Sequence, residues 1–261
     1  MQLVGKTILI TGASSGIGRE IARRLAKKQN RLILIARRKE LLESLAAEVK
    51  SCNADLQLFA CDVADSEQVR KVCGMIRQHN DRIDLLLLNA GLSMPFNAEK
   101  IDLPAFHRVM DVNFWGAVHF IEQLTPLMIH QGGGIIAAVG SLAGYRGMPR
   151  AAAYSCSKAA LMNLMDSLRI DLYAHRIRCT LISPGFVDTP MTQPRQSPMP
   201  FLMTAEKAAR IIIRGIEREK TEIAFPWPMA AAASLSRFIP DRLYSRLMQG
   251  ALISRKKGAT K

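Results

Sequence analysis

The chain has 261 residues, with 36 Lys+Arg against 22 Asp+Glu, giving a formal charge of +14 at pH 7. Hydrophobic residues make up 49% and charged residues 22%, which excludes a mainly disordered chain and supplies the core of one sizeable α/β domain. The basic excess sits at the ends, with 11 Lys+Arg against 4 acids in residues 1–50 and 12 against 5 in residues 201–261; with only 6% aromatics to stack on bases, a nucleic-acid partner is not expected.

In chain order, the first strand Thr7–Thr11 runs directly into Gly12-Ala13-Ser14-Ser15-Gly16-Ile17-Gly18, and a helical pattern marked by Ile21 and Leu25 follows. A strand that turns through glycines into a helix leaves bare backbone at the positive helix end, which is where a pyrophosphate binds. The second strand, 32–36, ends at Arg37-Arg38-Lys39. A fold that binds NAD through such a turn carries a carboxylate here for the ribose 2′-hydroxyl; guanidinium groups instead match a 2′-phosphate, so NADP(H) is the expected cofactor. The other use of Arg37 and Arg38 is to open a solvated helix.

Further strands are expected at 57–60, 85–89, Gly134–Val139 and 179–183, with helical periodicity between them. Runs that are apolar throughout belong to strands covered on both faces. They predict a doubly wound parallel sheet with its ligand site beyond the strand carboxyl ends. Four prolines between 189 and 203 predict a mobile loop before a helix at 205–218.

Tyr154 and Lys158 stand four residues apart, as neighbours on one helix face. A phenol is a poor acid–base group at neutral pH, and a nearby ammonium lowers its pKa. The five cysteines, Cys52, Cys61, Cys73, Cys156 and Cys179, are odd in number and form no C-x-x-C pair, so neither a disulfide framework nor a metal site is expected. No signal-peptide pattern opens the chain, and its longest apolar stretch, 223–233, is broken by Pro226 and Pro228. A cytoplasmic protein is expected, membrane-associated if its tail docks.

From about residue 5 to 190 the chain resembles the short-chain dehydrogenase/reductase superfamily, in its ordinary-length branch. The glycine turn is followed in the same order by Asp62-Val63, Asn89-Ala90-Gly91, Asn113, Ser141, Tyr154 with Lys158, and Pro184-Gly185 with Thr189. The resemblance implies a Rossmann-like three-layer sandwich with seven parallel strands, the seventh at 221–225, and an oxidoreductase. It implies a cofactor site of Gly12, Ser14, Ser15, Gly16, Ile17, Gly18, Arg37, Arg38, Asp62, Val63, Asn89, Ala90, Gly91, Tyr154, Lys158, Pro184, Gly185, Val187 and Thr189. It further implies Tyr154 as general acid/base, Lys158 on the nicotinamide ribose, Ser141 orienting the substrate oxygen and Asn113 anchoring a water in a proton relay. A homodimer or homotetramer is implied, assembled through helices near 103–131 and 151–175.

The resemblance places the substrate beside Leu142, Ala143, Met148, Phe186, Met191, Met199, Phe201, Leu202 and Met203. This lining suits a hydrophobic carbonyl or alcohol. Arg146, Arg150 and Arg195 leave an anionic head group open. Residues 1–225 are expected to form the catalytic domain, and 226–261 a basic extension. In it Leu243, Tyr244, Leu247, Met248, Ala251 and Leu252 make an apolar helical stripe opposite Arg242, Arg246 and Gln249. Such a helix suits peripheral membrane contact, a cover over the pocket, or a partner subunit. The alternative to an enzyme is a non-catalytic NADP(H)-binding sensor or structural protein.

Overall fold

The structure, a computed structural model, describes residues 1–52, 54–193 and 199–258, the stretch 250–258 as helix backbone alone. Strands β1 (Thr7–Thr11), β2 (Arg31–Ala36), β3 (Asp55–Ala60), β4 (Leu85–Leu88), β5 (Gly134–Val139), β6 (Ile177–Pro184) and β9 (Glu222–Phe225) form one parallel sheet in the order β3-β2-β1-β4-β5-β6-β9. The order reverses direction between β1 and β4, which opens the crevice that doubly wound sheets use for ligands.

Side chains alternate between two helical layers, and both are dry. From β1 and β4, Ile8, Ile10, Leu85 and Leu87 enter one core with α1 (Gly16–Ala26), α2 (Lys39–Glu48) and α7 (Ala205–Glu217). Leu9, Leu86 and Leu88 enter the other, with α3 (Ser66–His79), α5 (Gly116–His130) and α6 (Ala152–Asp171). Each fully buried Leu or Ile contributes roughly 1.5–3 kcal/mol, which is why these strands show no polar alternation.

The residue pattern alone gave six strands; the seventh, added by resemblance, is present as β9. A further pair, β7 (Val187–Asp188) and β8 (Met203–Thr204), forms a two-stranded sheet at the flanks of the proline-rich segment. Two residues a strand is too short to show periodicity. Of the expected mobile loop, Pro194, Arg195 and Pro198 lie outside the described residues. The turn at Thr189 is held by Thr192, whose Oγ1 donates to Val187 O (2.6 Å) and accepts from Thr189 N (3.0 Å). The expected helix at 205–218 is α7, which Thr204 caps by accepting from Lys207 N.

Beyond β9 the extension folds as α8 (Trp227–Ser236) and α9 (Asp241–Gly258). Among the described residues no helix is long and apolar enough to cross a membrane.

Candidate active site

Every expected cofactor residue except Gly18 lines one cleft at the carboxyl edge of the sheet. Gly18 lies beneath it as packing: a Cβ there would stand 2.5 Å from Gly12 O and collide with Asn89 Nδ2. Gly12 has φ +67°, and its Cβ would meet Ala90 Cα at 2.8 Å. The close approach is held by polar bonds between the ends of β1 and β4. Asn89 Nδ2 donates to Thr11 O (3.0 Å) and Gly12 O (3.1 Å), and Thr11 Oγ1 accepts from Asn89 N and Ala90 N. Helix α1 starts with no side-chain cap and no acid in its first turn, a pattern that suits an anion at that end.

Arg37 and Arg38 separate in space. Arg38 Nη2 lies 3.5 Å from Ser14 Oγ and 3.4 Å from Ser15 Oγ, over the glycine turn. Arg37 is 60% exposed and stands 4.0 Å from Asp62. Asp62 also accepts from Arg108 Nη2 at 2.6 Å and from Ala64 N. Burial pushes the Asp62 pKa up, but Arg108, the Ala64 amide and Arg37 together outweigh it and hold the carboxyl below its ordinary range. Nothing in the sequence pointed to Arg108, which lies on α4 (Leu103–Met110) and meets Asp62 only through the tertiary fold.

Tyr154 and Lys158 sit one turn apart on α6, with Lys158 Nζ 5.7 Å from the Tyr154 ring centre. Lys158 is buried, and its Nζ donates to Val139 O at 2.7 Å. Burial pulls its pKa down to about 8. Asn113 lies in a π-helical turn, Asp111–Trp115. Its Oδ1 accepts from Leu92 N (2.7 Å), while Nδ2 donates to Leu92 O and to Ser157 Oγ (2.9 Å each). The carboxamide thus ties the segment after β4 to the Tyr154 helix. A Cβ on Gly91 would lie 3.3 Å from Asn113 Oδ1 and 3.5 Å from Lys158 Nζ, so the two side chains flank one glycine.

Ser141 opens the turn Leu142–Gly144 and accepts from Ala143 N at 3.1 Å. Neither Ser141 nor Asn113 lines the cleft itself. A second phenol, Tyr145, donates to Glu222; burial, then that carboxylate, push its pKa up to about 12, so it stays protonated.

The expected substrate lining divides. Met191 faces the cleft, Met203 packs in the core beside α7, and Phe201 and Leu202 are 60% and 47% exposed. Arg195 lies outside the described residues. Arg146 turns toward the extension: it donates to Ser236 O and Ile239 O, pairs with Asp241 (2.7 Å), and stacks 3.9 Å from the Tyr244 ring centre. The Tyr244 hydroxyl donates to Gly147 O at 2.8 Å. The extension is therefore fastened to the loop that follows Ser141.

A family model described as short chain dehydrogenase matches residues 6–200. An 11-beta-hydroxysteroid dehydrogenase of Pinus massoniana is 32% identical over 259 residues, covering 92% of this chain and 72% of its own. Among solved structures, a short chain dehydrogenase from Burkholderia cenocepacia J2315 in complex with NADP superposes with TM-score 0.80 at 25% identity, over 95% of this chain and 99% of that one. A short chain dehydrogenase/reductase from Burkholderia phymatum in complex with NAD gives TM-score 0.82 at 23% identity, over 90% and 94%.

Proposed function

Because the chain belongs to the short-chain dehydrogenase/reductase superfamily, we propose that it is an NADP(H)-dependent oxidoreductase acting on a hydrophobic carbonyl or alcohol. The observation that carries the cofactor choice is Arg38 poised over Ser14 and Ser15, with no carboxylate at the end of β2, where Arg37 and Lys39 flank it. The residues present fit a dinucleotide: a cradle that a Cβ would fill at Gly12 and Gly16, an uncapped helix start, and a buried cation where the cleft meets α6. Met191 in the cleft and the steroid-acting relative support an apolar substrate.

The nicotinamide, when bound, supplies or accepts the hydride. The chain supplies the proton and the alignment. Tyr154 gives a proton to the substrate oxygen during reduction, or takes it during oxidation. Ser141 hydrogen-bonds the same oxygen as charge grows there. Lys158 holds positive charge beside the phenol and favours its ionised form. Asn113 and Leu92 fix the height of the Tyr154 helix against the end of β4. Residues 1–225 form the catalytic domain in this reading, and 226–261 a basic extension that is part of the same domain or a membrane or oligomer element. The cytoplasm is its setting. A second copy is the partner across the helical stretches 103–131 and 151–175, where Ile129 on α5, Ile170 on α6 and Tyr173 in the turn after α6 are exposed.

Titration with NADPH and NADH tests the cofactor choice. NADPH should bind more tightly, and Arg38→Ala should weaken it by roughly 10- to 100-fold, the value of one or two charge-assisted bonds. Arg37→Ala should weaken it less, given the exposure of that side chain. Equal binding of NADH by the wild type would overturn the assignment.

A pH profile tests Lys158. Burial disfavours the ammonium and brings its pKa down to about 8, so the group is mostly charged at pH 7 and loses its proton as pH rises through 8. Carbonyl reduction at saturating NADPH should then fall about tenfold per unit above pH 8. Lys158→Met should be slow with no such alkaline limb, and a wild-type profile flat to pH 10 would remove the role.

A further inference from the structure

Helix α8 is covered on one face and bare on the other. Met229 lies against Gly185, where a Cβ would come within 3.2 Å of its sulfur. On the opposite face Trp227 and Leu235, about 80° apart at about 100° per residue, are 79% and 64% exposed, and Phe238, in the turn after the helix, is 85% exposed. Helix α9 divides in the same way. Tyr244 turns inward to Arg146 and Gly147 O, while Leu243 and Leu247, one turn apart, are 51% and 52% exposed. The described part of the stripe expected as one apolar face thus divides between two, with the side chains of Ala251 and Leu252 outside the described residues, and Leu243 and Leu247 add to the exposed large apolar side chains of the extension.

Charge identifies the occupant. Residues 226–261 contain seven Lys+Arg and one acid, Asp241, and that acid is engaged by Arg146. Arg242 and Arg246 are exposed, and no carboxylate among the described residues pairs with them. Across a two-fold axis the same patch meets itself, so a second copy docked here would bring one cationic patch against another with one acid a copy to offset it. An anionic lipid surface instead accepts both the apolar ridge and the flanking cations.

We propose that the outward face of α8 and α9 docks on an anionic membrane surface, with Trp227, Leu235, Phe238, Leu243 and Leu247 in the interfacial layer and Arg242 and Arg246 at the headgroup phosphates. The extension lies on the surface without spanning it. Its benefit to the protein rests on the proposed function: α8 packs through Met229 on Gly185, which lines the cleft, and Arg237 and Arg146 connect the extension to the loop after Ser141, so docking sets elements that border the cleft beside a membrane in which an apolar carbonyl compound dissolves.

The test uses the full-length protein and vesicles of phosphatidylcholine with phosphatidylglycerol in equal parts, against phosphatidylcholine alone. The wild type should co-sediment with the first and not the second. Trp227→Ser/Phe238→Ser should bind roughly 30-fold more weakly or worse, and Arg242→Gln/Arg246→Gln about 30-fold more weakly at low salt. NADPH affinity should be unchanged in both, which reports an intact fold. Should the first variant fail to fold, Trp115→Phe leaves Trp227 as the one tryptophan, and its emission should shift to the blue on anionic vesicles. Failure of the wild type to sediment, equal sedimentation of either variant, or an unshifted Trp227 would overturn the proposal. So would light scattering in which Trp227→Ser/Phe238→Ser dissociates an oligomer but still binds vesicles, since the ridge would then face a second copy. Vesicle binding without turnover of any carbonyl would instead overturn the reductase reading and leave the surface standing.

Discussion

Tyr154→Phe should bind NADPH as the wild type does and lower turnover by about 10²- to 10⁴-fold, the usual contribution of a positioned acid–base group. The ring remains to pack on α6, and only the hydroxyl is lost, so cofactor titration and steady-state kinetics on one preparation separate chemistry from binding. Tyr145 offers no substitute, because it is engaged with Glu222 and held protonated. Turnover that survives in Tyr154→Phe would assign the proton to another group. A cellular role that survives while turnover is lost would favour the sensor or structural protein over the enzyme.

Gly18→Ala should abolish measurable NADPH binding and lower the melting midpoint by roughly 6–12 °C, the equivalent of about 3 kcal/mol in a chain of this size. Its methyl group would meet the Gly12 carbonyl, which is backbone, as well as the Asn89 amide. Relief requires the glycine turn to part from the end of β4, which breaks the Asn89 bonds to Thr11 O and Gly12 O. Gly74→Ala is the control. It lies inside α3 with nothing within 4 Å of a Cβ, so exchanging Gly for Ala there should stabilise by about 0.5–1 kcal/mol. Similar melting curves for Gly18→Ala and the wild type would mean that the turn is less closely packed than the distances imply.

The doubly wound sheet was legible because five- and six-residue apolar runs such as Leu32–Leu34–Ala36 alternating with Ile33–Ile35 feed two dry layers at once, a pattern a one-sided sheet cannot use. The positions of the glycine turn and of the Tyr154/Lys158 pair were legible because each is local, fixed within a few residues of one strand end or one helix, while their roles were implied by the order of motifs along the whole chain. Contacts made by long-range crossing were not. Arg108 reaches Asp62 from 46 residues away, Arg146 reaches Asp241 from 95, and neither has a local signature. Helical spacing placed Tyr244 with Leu243 on one stripe, since it reports angle and not which side of that angle faces the protein. Nearness in sequence to the pocket residues left Arg146 open as a partner for an anionic head group; its hydrogen bonds to Ser236 O and Ile239 O show it to be a fastener.

That fastener makes the loop after Ser141 and the final helices one heritable unit. A graft that transfers the extension from a relative without the residue at 146, or that exchanges the loop while keeping this extension, separates a guanidinium from two carbonyls, a carboxylate and an aromatic ring. Chimeras built to retune substrate choice should therefore cut on both sides, after β5 and after β9, and carry the two segments together.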